Sequence, residues 1–202
     1  MIKNKIEALV ARFQEAKANG RLENSSEATM RAWIDELLSI FGWNVQNTHE
    51  VLTEHSLGKE EKKKLYAIGS TNTRPDYTLV NGKILMTFVD AKSLAVNIEN
   101  DKDVAFQIRS YGWSIGAPFS IVTNFEQLAI YDCSTMPSVN DDAAFGRSLY
   151  ITCDEFIDKI EILESFLLRQ NIIAGKVKFI AEKGNALDES CLLYTSPSPR
   201  DA

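Results

Sequence analysis

The chain has 202 residues, of which 45% are hydrophobic, and a net charge of −6 from 22 basic and 28 acidic side chains. Such a length buries one sizeable core, so a single domain with a trailing segment is expected. The acidic balance counts against tight unaided binding to nucleic acid, because neutralising phosphates is the main sequence-independent source of affinity. The chain lacks the long uninterrupted apolar run of a membrane span, and its start leads into an amphipathic pattern broken by Glu7 and Arg12. No signal-peptide core is present, and a cytoplasmic location is expected with no membrane partner.

Taken in chain order, residues 2–18 repeat apolar side chains at Ile6, Leu9, Val10 and Phe13, the spacing of an amphipathic helix ended near Asn19-Gly20. A second helix carries Met30, Trp33, Ile34, Leu37, Leu38 and Phe41, with Gly42 where a C-terminal cap belongs. Residues 43–51 read as a first strand, and 53–73 as a long, charged, poorly ordered connection. Two apolar runs, 77–80 and 84–89, flank Asn81-Gly82-Lys83 and read as a hairpin. Helical spacing returns with Val104, Phe106, Ile108, Tyr111 and Trp113, opened by Asn100-Asp101 and closed by Gly116 and Pro118. Residues 119–123 read as a buried strand and 127–131 as its partner across a turn. Strand, helix, strand in this span implies a parallel crossover, so the class is α/β with a mixed sheet flanked by helices. Asp154 opens a further apolar-periodic helix with Phe156, Ile160, Leu163, Phe166 and Leu167.

The cysteines Cys133, Cys153 and Cys191 lack paired ligand spacing, and His49 and His55 have no cysteine nearby. This argues against structural zinc and makes both histidines loop residues. The final stretch, 191–202, breaks the preceding periodicity with Ser196-Pro197-Ser198-Pro199 and resembles peptide read through from sequencing adapters. It is expected to be non-native, which leaves a domain over 1–185 and a natural protein that continues further.

Chemistry concentrates at the hairpin. Asp76 follows Pro75 at the start of one run, and Asp90-Ala91-Lys92 ends the next. Two carboxylates on neighbouring strands supply hard oxygen ligands for Mg²⁺, with the Ala91 carbonyl as a third oxygen and Lys92 beside an attacking water. A strict two-residue Asn81-Gly82 turn would set Asp76 opposite Thr87 and send Asp90 to the other side of the sheet. A shared site therefore requires an odd shift of register, from a three-residue loop with Gly82 left-handed or from a bulge between Phe88 and Asp90. The plainer alternative makes Asp76 a turn residue and Asp90 and Lys92 a surface pair. Glu27, on the edge of the second helix's apolar stripe, reaches such a metal through water or serves the capping-box spacing of Asn24-Ser25-Ser26-Glu27. Gln107 and Tyr111, four apart, share one face of their helix. Positive charge lies at Lys59, Lys62, Lys63, Lys64, Arg74 and Arg109, and the lysine run reads as a solvated face.

An ordered series then stands out: Ser26-Glu27-Ala28, Trp33-Ile34-Asp35, Phe41-Gly42-Trp43, Arg74-Pro75-Asp76-Tyr77, Val89-Asp90-Ala91-Lys92, Phe106-Gln107 with Tyr111-Gly112-Trp113-Ser114, and Val122-Thr123-Asn124-Phe125-Glu126. Over about residues 20–135 it resembles the PD-(D/E)XK nuclease domain at the N-terminus of restriction-modification enzymes, closest to type I restriction R subunits and fused type IIG enzymes. The resemblance implies a restriction-endonuclease-like fold and Mg²⁺-dependent cleavage of double-stranded DNA. It implies Asp76 and Asp90 as metal ligands, Lys92 as catalytic lysine, Glu27 as outer ligand, and Gln107 and Tyr111 as the supporting Gln-x-x-x-Tyr motif. Asp90 departs from the commoner glutamate and draws the metal one methylene closer to the strand. Helicase or methyltransferase functions would lie downstream, and no phosphate-binding Gly-rich loop or methyltransferase motif is present here. The competing expectation is a catalytically silent DNA-binding or scaffold domain that keeps the fold.

Overall fold

The computed structural model describes residues 1–176. The end of the expected 1–185 domain and the expected non-native tail at 191–202 lie outside the described residues. Helix α1 (Ile2–Ala18) buries Ile6, Leu9 and Phe13 and stops at Asn19, with Gly20 taking the left-handed φ of +69°. Helix α2 (Glu27–Ile40) buries Met30, Ile34, Leu37 and Leu38. Its cap is Ser26, whose Oγ accepts the Thr29 N–H at 3.3 Å. The box spacing that begins at Asn24 is therefore not used, and Glu27, at the first helical position, turns to Arg31 one turn on (3.4 Å).

The expected strand over 43–51 shrinks to β1 (Val51–Thr53). Asparagines explain the loss: Asn44 Oδ1 accepts the Gln46 N–H and Asn47 Oδ1 the His49 N–H, at 3.0 and 3.1 Å, local bonds that hold the backbone in turns. Trp43 is buried nonetheless, its indole N–H donating to the Leu167 carbonyl at 2.8 Å. The charged connection contains α3 (Lys59–Ala67), built from strong helix formers around one buried anchor, Leu65. His49 and His55 are exposed and lie outside helices and strands, as expected.

Strands β2 (Tyr77–Asn81) and β3 (Ile84–Ala91) form the hairpin, turned by Gly82-Lys83 with Gly82 at φ +64°. Helix α4 (Lys102–Ile115) is capped by Asp101 Oδ1, which accepts the N–H groups of Asp103 and Val104 at 3.0 and 3.1 Å, and it ends at left-handed Gly116. Strands β4 (Phe119–Thr123) and β5 (Gln127–Asp132) follow. A further strand, β6 (Arg147–Thr152), has half-buried side chains apart from Ile151, so its sequence carries no clean alternation. The helix expected from Asp154 starts later: a 3-10 turn (Cys153–Glu155) precedes α5 (Ile160–Leu167), with α6 (Arg169–Ile173) beyond.

The six strands order as β1-β2-β3-β4-β5-β6, with β3 and β4 parallel and every other neighbouring pair antiparallel. The α/β class with a mixed sheet flanked by helices is thus present. Helix α4 makes the parallel crossover. One core joins α1, α2, α5 and α6 to a sheet face through Val89, Ile121, Leu128 and Ile130; the other joins α3 and α4 to the opposite face through Phe88, Val122, Ala129 and Tyr131. Contact with α4 is tight at Gly112, where a Cβ would sit 2.4 Å from both Ser120 Oγ and Cys133 Sγ. Gly112→Ala is therefore expected to cost about 1–3 kcal/mol in urea unfolding, and unchanged stability would contradict this packing.

Candidate functional site

The register of the β2–β3 hairpin decides whether a site exists. Asn81 pairs with Ile84 and Val80 with Leu85, but Leu79 pairs with Thr87, and the ladder then continues to Tyr77 opposite Val89. Met86 is thereby left without a cross-strand partner. The next step sets Asp76 opposite Asp90. The odd shift is real, and its source differs from expectation: the turn centres on Gly82-Lys83, and the bulge lies at Leu79/Val80, not between Phe88 and Asp90.

Alternation along β3 sends Val89 and Ala91 into the α1/α2 core and Phe88 into the α4 core, so Asp90 takes the α4 side. Asp76 is buried, and its Oδ2 accepts the Ala91 N–H at 2.7 Å, stitching the two acidic positions together. Asp90 is 2% exposed and accepts Lys92 Nζ at 2.5 Å. Lys92 Nζ also donates to Gln107 Oε1 at 3.4 Å, and Gln107 Nε2 donates to the Tyr111 hydroxyl at 3.1 Å. Tyr111 is fully buried against Phe88, ring centroids 5.7 Å apart. The four-residue spacing on α4 thus becomes a relay that fixes the lysine from behind.

Across the site stands α2, whose Glu27, Arg31 and Asp35 recur every four residues along one stripe. Asp35 Oδ1 accepts the Tyr77 hydroxyl at 2.6 Å, which holds the helix to the start of β2. Arg31 carries a guanidinium that reaches Asp76 Oδ1, Glu27 Oε1 (3.4 Å) and Glu54 Oε1 (3.2 Å). Glu54 sits just beyond β1 at φ +47°, a left-handed conformation that costs a residue with a Cβ, and its N–H donates to the Asp76 carbonyl at 2.9 Å. Arg31 and Glu54 carry no motif signal. The one available hint was the i,i+4 pairing of Glu27 with Arg31, which by itself describes an ordinary helix surface.

The groups share one field. Burial pushes the Asp90 carboxyl above the usual carboxylate range; Lys92 pulls it back and Asp76 adds to the rise. Burial, then the charge of Asp76, also raises Glu27, with Lys92 and Arg31 opposing. Burial raises the Tyr111 phenol, helped by Asp90, and the hydroxyl stays protonated as a donor or acceptor. Two desolvated carboxylates facing each other across a ladder, each held by a cation, have the oxygen chemistry a hard divalent ion prefers. Among the described residues no group of three or more His, Cys, Asp or Glu is arranged to hold a metal. Positive charge is redistributed as well: Arg109 is 1% exposed and bound to Asp141 (2.6 Å), so it is not a surface cation, whereas the α3 lysines are largely solvated.

No protein-family model matches the chain, and no solved structure matches it. Over 175 residues, 86% of its length, it is 29% identical to the type II restriction enzyme and methyltransferase RM.Eco57I of Escherichia coli, of which it spans 17%. That similarity relates the chain to a restriction-modification enzyme. Among the described residues no helix is long and apolar enough to cross a membrane.

The Lys92–Asp90 pair makes a stability prediction. Lys92→Met strands a buried carboxylate and should cost on the order of 3 kcal/mol in urea unfolding, and adding Asp90→Asn should return part of that loss. A double variant less stable than Lys92→Met alone would contradict the buried pairing.

Proposed function

We propose that the chain is a magnesium-dependent endonuclease module of a restriction-modification enzyme, hydrolysing phosphodiester bonds of double-stranded DNA. The observation that carries this reading is the cross-strand opposition of Asp76 and Asp90 with Lys92 Nζ at 2.5 Å from Asp90. The 29% identity to a restriction enzyme and methyltransferase supports it and favours a fused type II context over a type I subunit.

In this reading Asp76, Asp90 and the Ala91 carbonyl would hold Mg²⁺, with Glu27 as an outer ligand. When bound, the ion would supply Lewis acidity and stabilise charge growing on the phosphoryl oxygens. Lys92, as an ammonium, would orient the attacking water and offset charge growing on the phosphoryl oxygens, while Gln107 and Tyr111 keep it aimed at the pocket. Buried Phe88 against Tyr111 and the Asp35–Tyr77 bond limit side-chain motion behind Lys92 and at the start of β2. Grip on DNA and methylation would come from regions beyond this chain, which is consistent with the net charge of −6.

A second reading, a silent scaffold that keeps the fold, draws on one observation: Asp76 and Asp90 already carry internal cations, Arg31 and Lys92. Nicking of supercoiled plasmid by the purified chain with Mg²⁺ or Mn²⁺ separates the two. The nuclease reading expects conversion that EDTA stops and that Asp90→Ala or Lys92→Ala reduces by at least about a hundredfold with folding retained. Metal-dependent cutting undiminished by both substitutions would contradict the assignment.

A further inference from the structure

We propose that Arg31 is a built-in competitor of the metal: its guanidinium occupies the Asp76 carboxylate and sets how tightly a divalent cation can bind there. This rests on the nuclease reading above and deepens it by naming what regulates the same site. Asp76 offers two oxygens, and both are engaged, Oδ1 by Arg31 and Oδ2 by the Ala91 N–H at 2.7 Å. Its side chain is 10% exposed, so there is little room for another cation to approach without moving a present partner. The Ala91 donor is backbone fixed within β3, which leaves Arg31, on a flexible side chain, as the partner able to give way.

Arg31 also has somewhere to go. Nη1 lies 3.2 Å from Glu54 Oε1 and Nη2 3.4 Å from Glu27 Oε1, and those carboxylates are 62% and 43% exposed. A guanidinium is planar and forked, so it can hold Glu54 with one nitrogen while the other releases Asp76. Left-handed Glu54, its N–H tied to the Asp76 carbonyl, keeps that second partner beside the site. Two cations cannot share one desolvated carboxylate at full strength, so occupancy by the ion and by Arg31 is mutually opposed.

The test measures metal binding without DNA or turnover, by calorimetric titration of the purified chain with Mn²⁺. Arg31→Met should bind about tenfold or more tightly than wild type, the scale of a charge-assisted hydrogen bond released. Arg31→Lys keeps the net charge and loses the fork, so it should also bind more tightly than wild type, by less. Arg74→Met removes an equal charge two residues from Asp76, from an exposed side chain, and should shift binding much less. Circular dichroism confirms folding, and Arg31→Lys serves if Arg31→Met fails to fold. Equal or weaker Mn²⁺ binding by folded Arg31→Met or Arg31→Lys than by wild type overturns the competition alone. The same gain in Arg74→Met reduces it to bulk electrostatics and overturns it too. No Mn²⁺ binding by wild type or any Arg31 variant removes the metal-site reading beneath it, and the competition with it.

Discussion

Met86 has no counterpart across the β2–β3 ladder, and that extra residue turns the far end of β3 over relative to β2. Had the register at Val80–Leu85 continued, Asp76 would oppose Val89 and Asp90 would point into the opposite face. The bulge therefore converts a hairpin whose acidic residues would lie on separate faces into one where they meet. The cost is a break in regular pairing, placed midway along the hairpin where the flanking pairs and the two cores on either face restore order. Parallel pairing of β3 with β4 then holds the end of β3, since Asp90 sits beside Val122 and the Lys92 N–H donates to the Thr123 carbonyl at 3.1 Å.

Charge at this spot works against folding as much as for it. Asp90 is almost wholly removed from water, and burial of an ionised carboxylate is tolerated because Lys92 accompanies it and Gln107 and Tyr111 hold Lys92. An apolar cluster in the same volume would serve stability at least as well. A strained glutamate, paired carboxylates and a forked cation gathered at one sheet end are the kind of local expense that proteins carry where chemistry happens. The surrounding parts are correspondingly rigid, with α2 pinned through Asp35 and Tyr77 and α4 pressed onto the sheet at Gly112.

Much of this was legible in the residues. Both N-terminal helices, the hairpin, the α4 crossover and the β4–β5 pair follow periodicity and turn chemistry, and spacing marks the two acidic positions with Lys92. The failures have physical causes. Asparagine side chains captured the backbone before β1, a polar lysine-glutamate run formed α3 with a single apolar anchor, and β6 hid its burial in half-exposed positions. Register was constrained only in parity: an odd shift was demanded, but a bulge leaves no mark in composition. Arg109 counts among the local positive charges of the sequence, and nothing nearby in the chain betrays its partner Asp141 in the β5–β6 connection. Arg31 was missed for the same reason, since its contact with Asp76 spans 45 positions of chain.

The most direct test of the central claim, that Asp76 and Asp90 face one metal pocket, is the anomalous scattering of crystals grown with Mn²⁺. The account predicts a strong peak within coordination distance of both carboxylates, with Lys92 Nζ close by. A well-occupied Mn²⁺ bound elsewhere, with Asp76 and Asp90 still closed on Arg31 and Lys92 at saturating metal, would contradict it.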